Sequence, residues 1–201
     1  MPVLGQGVVR ERADAARNRQ RVLAAAQRLF DESGVDAVTM DDVAAAAGVG
    51  KGTLFRRFKD KGGLAAALLG QHETDLQRRI LTGPPPLGPG ALAAERLIAF
   101  VEAYLAYVVA QVDLVLMSQN STPGARHQTG AHAFWRRHCW HLLAGARVPD
   151  PDLRADVLLA ALTAEQVRHW IRDEGRDPAV LAATLSAVAT AVGARDPRHT
   201  D

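Results

Sequence analysis

Basic side chains are concentrated in one short stretch of the sequence, where they could bind a polyanion. Between Lys51 and Lys61 the chain reads KGTLFRRFKDK, with five Lys or Arg residues among eleven. Both residue types bind phosphates through charge, and Arg also makes paired hydrogen bonds to planar acceptors. Lys51 and Thr53 stand at the start of a predicted helix, where the dipole favours anions. Lys59 and Lys61 add charge just beyond its end.

The helix before this stretch has clear start and stop signals. Thr39 has Asp42 three residues after it, so its hydroxyl can cap a helix while the acidic residue suits the first turn. Gly48 follows after about two turns and is a natural place for the helix to end.

The basic stretch itself is predicted to form a second short helix, from about Gly50 to Phe58. Leu54 and Phe58 are four residues apart and face inward. This arrangement leaves Arg56 and Arg57 outside, together with Lys51 and Thr53. Two short helices joined around Gly48 have the proportions of a helix-turn-helix, whose second helix enters the DNA major groove.

A longer helix precedes this pair and another follows it. The first runs from about Ala13 to Asp31, and the fourth begins at Asp60 and continues to about Leu81. With these flanking helices, the order VTMDDVAAAAGV, GKGTLFRRF and KDKGGL closely resembles the tetracycline-repressor (TetR) family over roughly residues 17–69. The resemblance implies DNA-facing roles at these positions: Thr39, Lys51, Gly52, Thr53, Phe55, Arg57 and Lys61. It also implies a divergent C-terminal domain that dimerises and binds an inducer.

The sequence departs from the family pattern at three positions. Phe55 stands where the family usually has Tyr, so a phenolic hydrogen bond to phosphate is lost. Arg57 stands where His is common, and can supply a charged contact instead. Gly50 stands where Ser or Thr often caps the recognition helix, which should leave the start of this helix looser.

The composition fits a DNA-binding protein and indicates its cellular compartment. Residues 1–82 hold 13 Lys and Arg against 10 Asp and Glu, whereas residues 83–201 hold 11 against 12. The basic excess thus lies at the end that would meet DNA. One cysteine, Cys139, excludes an intrachain disulfide and fits a reducing, cytoplasmic setting. The apolar stretch from Leu97 to Met117 carries Glu102 and Asp113, so a buried helix is favoured over a membrane span.

The rest of the chain is also predicted to be helical. The segment GPPPLGPG at 83–90 cannot continue a helix, and we place a domain boundary there. Four longer helices are then expected, over about 91–118, 125–146, 151–174 and 177–193. The fold class is therefore all-α, with a three-helix helix-turn-helix DNA-binding domain (1–60), a connecting helix (61–82) and a helical ligand-binding and dimerisation domain (83–201).

A palindromic operator needs a dimer, because two recognition helices must meet half-sites about 34 Å apart. The last two helices are the expected interface. Apolar residues recur there at helical spacing: Leu158, Leu162, Leu181, Leu185, Val188 and Val192. The alternative is that these residues form the core of a single chain.

A small apolar or aromatic ligand is expected to bind among the C-terminal helices. Aromatic-lined cavities with a few polar groups are typical ligand sites. The candidate residues are Phe100, Tyr104, Tyr107, Met117, Trp135, Cys139, Gln166 and Trp170. The alternative for any one of them is ordinary core packing, and His138 or His169 could supply further polar groups.

The function predicted is that of a homodimeric repressor released from its operator by a ligand, without a cofactor. An activator would have the same DNA-binding module. A metal-responsive sensor using His138, His141 and Cys139 is a second hypothesis, since residues three apart share a helical face. An enzyme using Ser118, His127 and Asp113 is a third, but the motifs of nucleophilic catalysis are absent from the sequence.

Overall fold

The structure is a computed structural model that describes residues 5–119, 127 and 129–194. Its described residues form helices and no strand. The N-terminal helices are α1 (Gly5–Ser33), α2 (Met40–Ala47), α3 (Lys51–Phe58) and α4 (Lys61–Thr82). The later helices are α5 (Ala93–Ala110), α6 (Val112–Gln119), α7 (Gly130–Gly145), α8 (Pro151–Ala161), α9 (Ala164–Arg168), a π-helical turn (His169–Asp173) and α10 (Pro178–Gly193). The predicted all-α fold is confirmed.

The chain divides into two compact units, Met1–Leu68 and Leu69–Asp201. The division falls within α4, so it differs from the boundary predicted at 83–90. The segment 83–90 does end α4, but it belongs to the second unit, where the side chain of Leu87 is buried. A Pro- and Gly-rich stretch stops a helix by its backbone chemistry, and this effect does not require a change of domain.

The first unit is built around α1, which packs against α2, while α2 packs against α3. Each helix contributes one apolar stripe to a common core. The buried side chains are Val22, Ala26 and Phe30 of α1, Met40, Val43 and Ala47 of α2, Leu54 and Phe58 of α3, and Leu64 and Ala65 of α4. The inward positions predicted for α3 are therefore confirmed.

In the second unit, α5 packs against both α7 and α10, and α8 packs against α7 and α10. Rings and branched side chains fill the space between these helices, with Phe100, Val101, Trp135, Cys139, Leu158 and Leu185 among the buried residues. The guanidinium of Arg154 donates to the Val192 carbonyl oxygen at 2.7 Å, which ties α8 to the end of α10.

Two of the long helices predicted for this unit are broken. The first is interrupted at Gln111, where α5 and α6 meet at 90°. The other is interrupted before α9, because the Thr163 hydroxyl accepts the Gln166 N–H at 3.3 Å and starts a new helix. Apolar periodicity continues across both breaks, so it did not reveal them.

No single described helix is long and apolar enough to cross a membrane. The pair α5 and α6 meets the length and composition criteria only when both helices are taken together, across their sharp bend.

Candidate nucleic-acid interface

The helix-turn-helix is set by two local features around α2. Thr39 and Asp42 form a capping box: the Asp42 N–H donates to Thr39 Oγ1 at 3.2 Å, and the Thr39 N–H donates to Asp42 Oδ2 at 2.8 Å. The Thr39 hydroxyl also donates to Asp42 Oδ2, at 2.6 Å. This hydrogen bond first, and the one from the Thr39 N–H second, lower the pKa of Asp42. Gly48 then ends α2 in the left-handed conformation, with φ of 63°. Thr39, predicted as DNA-facing, thus also starts the first helix of the motif.

The exposed face of α3 carries the remaining predicted residues. Leu54 and Phe58 point into the core, and Gly52, Thr53 and Phe55 are exposed. Gly50 makes no side-chain cap, as its residue type predicts. Phe55 keeps 44% of its surface exposed, a large value for an aromatic ring. The face therefore combines cations, a glycine and one open ring.

Two charged side chains of this face have partners close by. The Lys51 ammonium pairs with the carboxylate of Asp41 on α2, at 2.5 Å between Nζ and Oδ2. Arg56 folds along its own helix, donating to the Gly52 carbonyl oxygen at 3.2 Å and to Thr53 Oγ1 at 3.5 Å. Both side chains are exposed, so these contacts are weak and easily exchanged for phosphate oxygens.

Arg57 and Lys61 are anchored to main-chain carbonyl groups elsewhere in the unit. Arg57 donates to the Ala15 carbonyl oxygen of α1 at 3.0 Å. Lys61 donates to the Asp36 carbonyl oxygen at 3.2 Å. Lys59, at the end of α3, has a φ of 64° and donates its N–H to the Phe55 carbonyl oxygen. Arg57 thus ties α3 to α1, Lys61 ties the start of α4 to the turn before α2, and the Lys59 N–H closes the end of α3; the sequence did not indicate these roles.

Sequence reasoning missed two residues of this site. Arg21 of α1 donates to the Ala47 carbonyl oxygen at 3.2 Å, which fixes the end of α2. Asp41 is the partner of Lys51, although its position in the first turn of α2 indicated only a favourable helix dipole. Neither contact leaves a sequence pattern, because each joins separate helices.

In the second unit, four of the predicted ligand-binding residues form one aromatic cluster. Phe100 stacks on Tyr104 at 5.6 Å between ring centroids, and Trp135 lies 5.8 Å from Tyr104. Tyr107 lies 5.9 Å from Tyr104. His138 meets the edge of Phe100 at 5.3 Å. The cluster joins α5 to α7.

Polar groups border this cluster, and two of them, Glu73 and Arg96, were not predicted from the sequence. The Tyr107 hydroxyl donates to Glu73 Oε1 at 3.2 Å, and burial raises the pKa of both residues. Burial, followed by the nearby charge of Arg96, lowers the pKa of His138 to about 4. His138 Nε2 and Arg96 Nε are buried without a hydrogen-bond partner in the part of the chain that the structure describes.

The other predicted ligand-binding residues are not part of the ring contacts. Cys139 is buried on α7, and burial raises the pKa of its thiol. Met117 and Trp170 are half-buried on α6 and the π-helical turn. Gln166 lines an open groove of about 510 Å³ together with Leu116, Thr163, Glu165, Arg168, His169 and Asp173. Four of the eight candidates thus form the aromatic cluster, and the other four are distributed over α6, α7, α9 and the π-helical turn.

The residues predicted for a dimer interface lie mostly in this chain's own core. Leu158, Leu162, Leu181 and Leu185 are buried within the protomer, so their side chains are not available to a partner. Val188 is exposed and Val192 is half-buried. Helical spacing marked the inward faces of these helices, because period alone does not distinguish a core from an interface.

The structure does not bring together the residues of the metal and enzyme hypotheses. His138 is buried against Phe100 whereas His141 is exposed, and the described residues contain no group of three or more metal ligands. Ser118 donates to the Val115 carbonyl oxygen, and Asp113 faces Arg168 and Arg172. His127 instead meets His132, with 3.2 Å between ring nitrogens.

Fold and site together define a helix-turn-helix protein with a second helical unit. Residues 22–68 match the family described as bacterial regulatory proteins, tetR family. Two HTH-type transcriptional regulators of Staphylococcus aureus, from strains USA300 and NCTC 8325, are each 45% identical over 65 residues. This match covers 32% of this chain and 35% of each relative. Over these residues the chain is similar to the tetR family, as the sequence motifs predicted.

Solved structures share the fold over most of the chain. A putative TetR-family regulator from Rhodococcus sp. has a TM-score of 0.63 at 20% identity, covering 89% of this chain and 100% of that one. The fatty acid degradation regulator FadR of Bacillus halodurans has a TM-score of 0.62 at 18% identity, covering 86% and 94%. NalD of Pseudomonas aeruginosa, the secondary repressor of the MexAB-OprM efflux pump, has a TM-score of 0.59 at 21% identity, covering 88% and 96%.

Proposed function

We propose that this protein is a homodimeric, sequence-specific repressor that binds a palindromic DNA operator and is released by a small apolar or aromatic ligand. The observation that carries the proposal is the exposed face of α3, held by α1 and α2 in a helix-turn-helix. An α-helix of this size fits the major groove, and the basic residues at its ends suit the flanking phosphates. Binding to DNA would place the protein in the cytoplasm.

An exposed apolar face on α8 and α10 supports the homodimer. Leu153 and Val157 of α8 are 61% and 53% exposed, and Val180 of α10 is 56% exposed. Small exposed residues continue this face at helical spacing: Ala160, Ala183, Ala187 and Ala191. The two helices pack against each other within the protomer. Two copies joined through α8 and α10 would form a four-helix interface that covers these residues.

The aromatic cluster of the second unit supports a ligand of apolar or aromatic character. Rings from α5 and α7 lie beside buried polar atoms of Arg96 and His138 that have no partner among the described residues. Such a combination of apolar surface and a few polar groups is typical of ligand sites. The names of FadR and NalD concern fatty acid degradation and repression of an efflux pump. These names are consistent with a repressor that responds to a lipophilic compound.

DNA binding is tested by selecting sequences from random duplex DNA with the full-length chain. We expect a palindrome, with affinity that falls steeply as salt rises. Arg56→Ala should weaken binding to the selected site by about 5- to 150-fold, since one good Arg contact to a base is worth about 1–3 kcal/mol. Arg78→Ala, an exposed arginine of the second unit, is the matched control. Failure to enrich any sequence would overturn the proposal.

The dimer is tested by light scattering coupled to size-exclusion chromatography. Leu153→Glu places a charge on the proposed interface and should give a monomer with weakened operator binding. Leu92→Glu alters a leucine that is also largely exposed, at 72%, but lies before α5. A wild-type monomer, or equal effects of the two variants, would contradict the proposed interface.

Repression and release are tested with the selected operator placed before a reporter gene. Expression should rise when the protein is removed, whereas a fall would indicate an activator. A panel of small aromatic and apolar compounds is then titrated against the protein–operator complex. A releasing ligand must bind the DNA-free state more tightly. A compound that binds the protein but leaves operator affinity unchanged is not the inducer.

A further inference from the structure

We infer that Phe55 reads the 5-methyl group of a thymine in each operator half-site. This inference rests on the proposed function and adds a base preference to it. Phe55 is 44% exposed on α3, with its ring outside the core formed by Leu54 and Phe58. A phenyl ring has no hydrogen-bond donor, so a phosphate gains nothing from it. The thymine methyl is the apolar group that base pairs present in the major groove.

The charged neighbours of Phe55 are engaged in ways that leave its ring open. Lys51, one turn earlier, is drawn towards Asp41 on α2. Arg56 lies back along α3 towards the Gly52 carbonyl oxygen and Thr53. Arg57 reaches the opposite way, to α1. Cations that fold away from an exposed ring leave a bare apolar surface beside them.

Gly52 gives the ring access to a base edge. It lies three residues before Phe55 on the same side of α3. A Cβ at Gly52 would meet nothing within 4 Å, so packing inside the unit does not require glycine there. Glycine in a helix is less stable than alanine. Close approach of DNA to the α3 backbone explains this residue, and it would bring the Phe55 ring to the depth of a thymine methyl.

A rival for the same contact is Thr53, whose methyl group could also meet thymine. Its hydroxyl accepts a hydrogen bond from Arg56, and its side chain lies on the flank of α3 opposite to Phe55. Phe55 presents a larger apolar surface and has no polar atom to satisfy. The two residues therefore predict sensitivity at different base positions, and an experiment can separate them.

The test replaces each thymine of the selected operator with deoxyuridine, which removes only the methyl group. For the wild-type protein we expect a loss of about fourfold at one thymine per half-site and about fifteenfold when both are replaced, as for burial of one methyl group each time. With Phe55→Ala that difference should vanish, while Phe55→Leu should retain about half of it on a logarithmic scale. Thr53→Ser removes the rival methyl group, and the dependence on the thymine methyl should persist in this variant if Phe55 makes the contact.

The outcomes separate this inference from the function on which it rests. If a palindrome is bound but Phe55→Ala remains as sensitive to deoxyuridine as the wild type, the thymine contact is wrong and the repressor proposal stands. Loss of sensitivity in Thr53→Ser instead assigns the contact to Thr53 and overturns it for Phe55. If no sequence is selected at all, both fail. Circular dichroism checks that each variant is folded, and Phe55→Leu keeps the test valid should Phe55→Ala unfold.

Discussion

The two units of this chain use their polar side chains in opposite ways. In the first unit, the exposed Arg21 and Arg57 and the half-buried Lys61 each donate to a main-chain carbonyl group on another segment. In the second, buried nitrogens of Arg96 and His138 are left without partners among the described residues. An unpaired buried polar atom is costly, and native proteins keep few of them. We expect such a contrast between a surface of fixed shape and an interior that, as proposed above, binds a ligand.

The largest loss of stability is expected when the ring at the centre of the aromatic cluster is removed. Trp135→Ala should lower the free energy of unfolding by about 3–5 kcal/mol, because the ring is almost wholly buried and leaves a large cavity. Urea denaturation at fixed protein concentration measures the loss. Trp140→Ala is the control, since Trp140 is half-buried with Arg137 4.2 Å above its ring, and should cost below about 1 kcal/mol. Similar costs would mean that the cluster is not a packed core.

Low pH is expected to destabilise the second unit through His138. The pKa of His138 is lowered to about 4, whereas an unfolded histidine titrates near 6.5. The unfolded chain therefore takes up the proton first, so stability is complete above about pH 6.5 and falls by up to about 3 kcal/mol towards pH 4.

Unfolding measured between pH 7 and pH 4 shows this loss as a slope. His138→Phe should remove that part of the slope, and His72→Gln, an exposed histidine of α4, should leave it unchanged. A slope that survives in His138→Phe would assign the acid sensitivity to other groups.

A smaller effect is expected from the cap of α2 in the first unit. Thr39→Ala should cost about 1 kcal/mol, because the Asp42 N–H loses its acceptor. Thr39→Ser keeps the hydroxyl and should be close to wild type. Since hydrogen bonds to Thr39 lower the pKa of Asp42, the contribution of its carboxylate persists above the ordinary range of Asp and is lost at lower pH. Equal stability of the Ala and Ser variants would show that the cap is dispensable.

Asp41→Asn is expected to change stability least of the variants considered, and to increase DNA affinity. Asp41→Asn releases Lys51 from an exposed ion pair, so stability should change by less than about 1 kcal/mol. Operator binding at low salt should tighten by about threefold, because a negative charge beside the phosphates is removed. Asp14→Asn, on α1, is the control in the same fluorescence anisotropy assay. Tightening by both variants alike would indicate a general charge effect.

Most of the first unit could be predicted from its sequence because its signals are local. The capping pair Thr39 and Asp42, the stop at Gly48 and the inward pair Leu54 and Phe58 each follow from residue types a few positions apart. The contacts that hold α3 were not predictable, because Arg57 and Ala15 are 42 residues apart and a carbonyl acceptor leaves no trace in the sequence.

The second unit was predicted less well for a physical reason. Its helices are apolar on several sides, so periodicity hides the breaks at Gln111 and before α9. Thr163 with Gln166 has the pattern of a capping pair and could have revealed the second break. The four rings that do meet were expected, but Glu73 was not, because it reaches Tyr107 from α4, 34 residues earlier in the chain. Arg96 was also not predicted, although it lies on α5 with three of the rings.

The anchoring of the helices of the first unit through main-chain carbonyl groups bears on how such a protein can evolve. Arg57, Arg21 and Lys61 bind to the backbone at Ala15, Ala47 and Asp36, and every amino acid supplies the same carbonyl oxygen. Mutation at the three acceptor positions therefore leaves the anchors intact as long as the helices form. Solvent-facing residues can therefore change during evolution while the packing of the helices stays the same. New binding preferences can then arise through single substitutions without a loss of the fold.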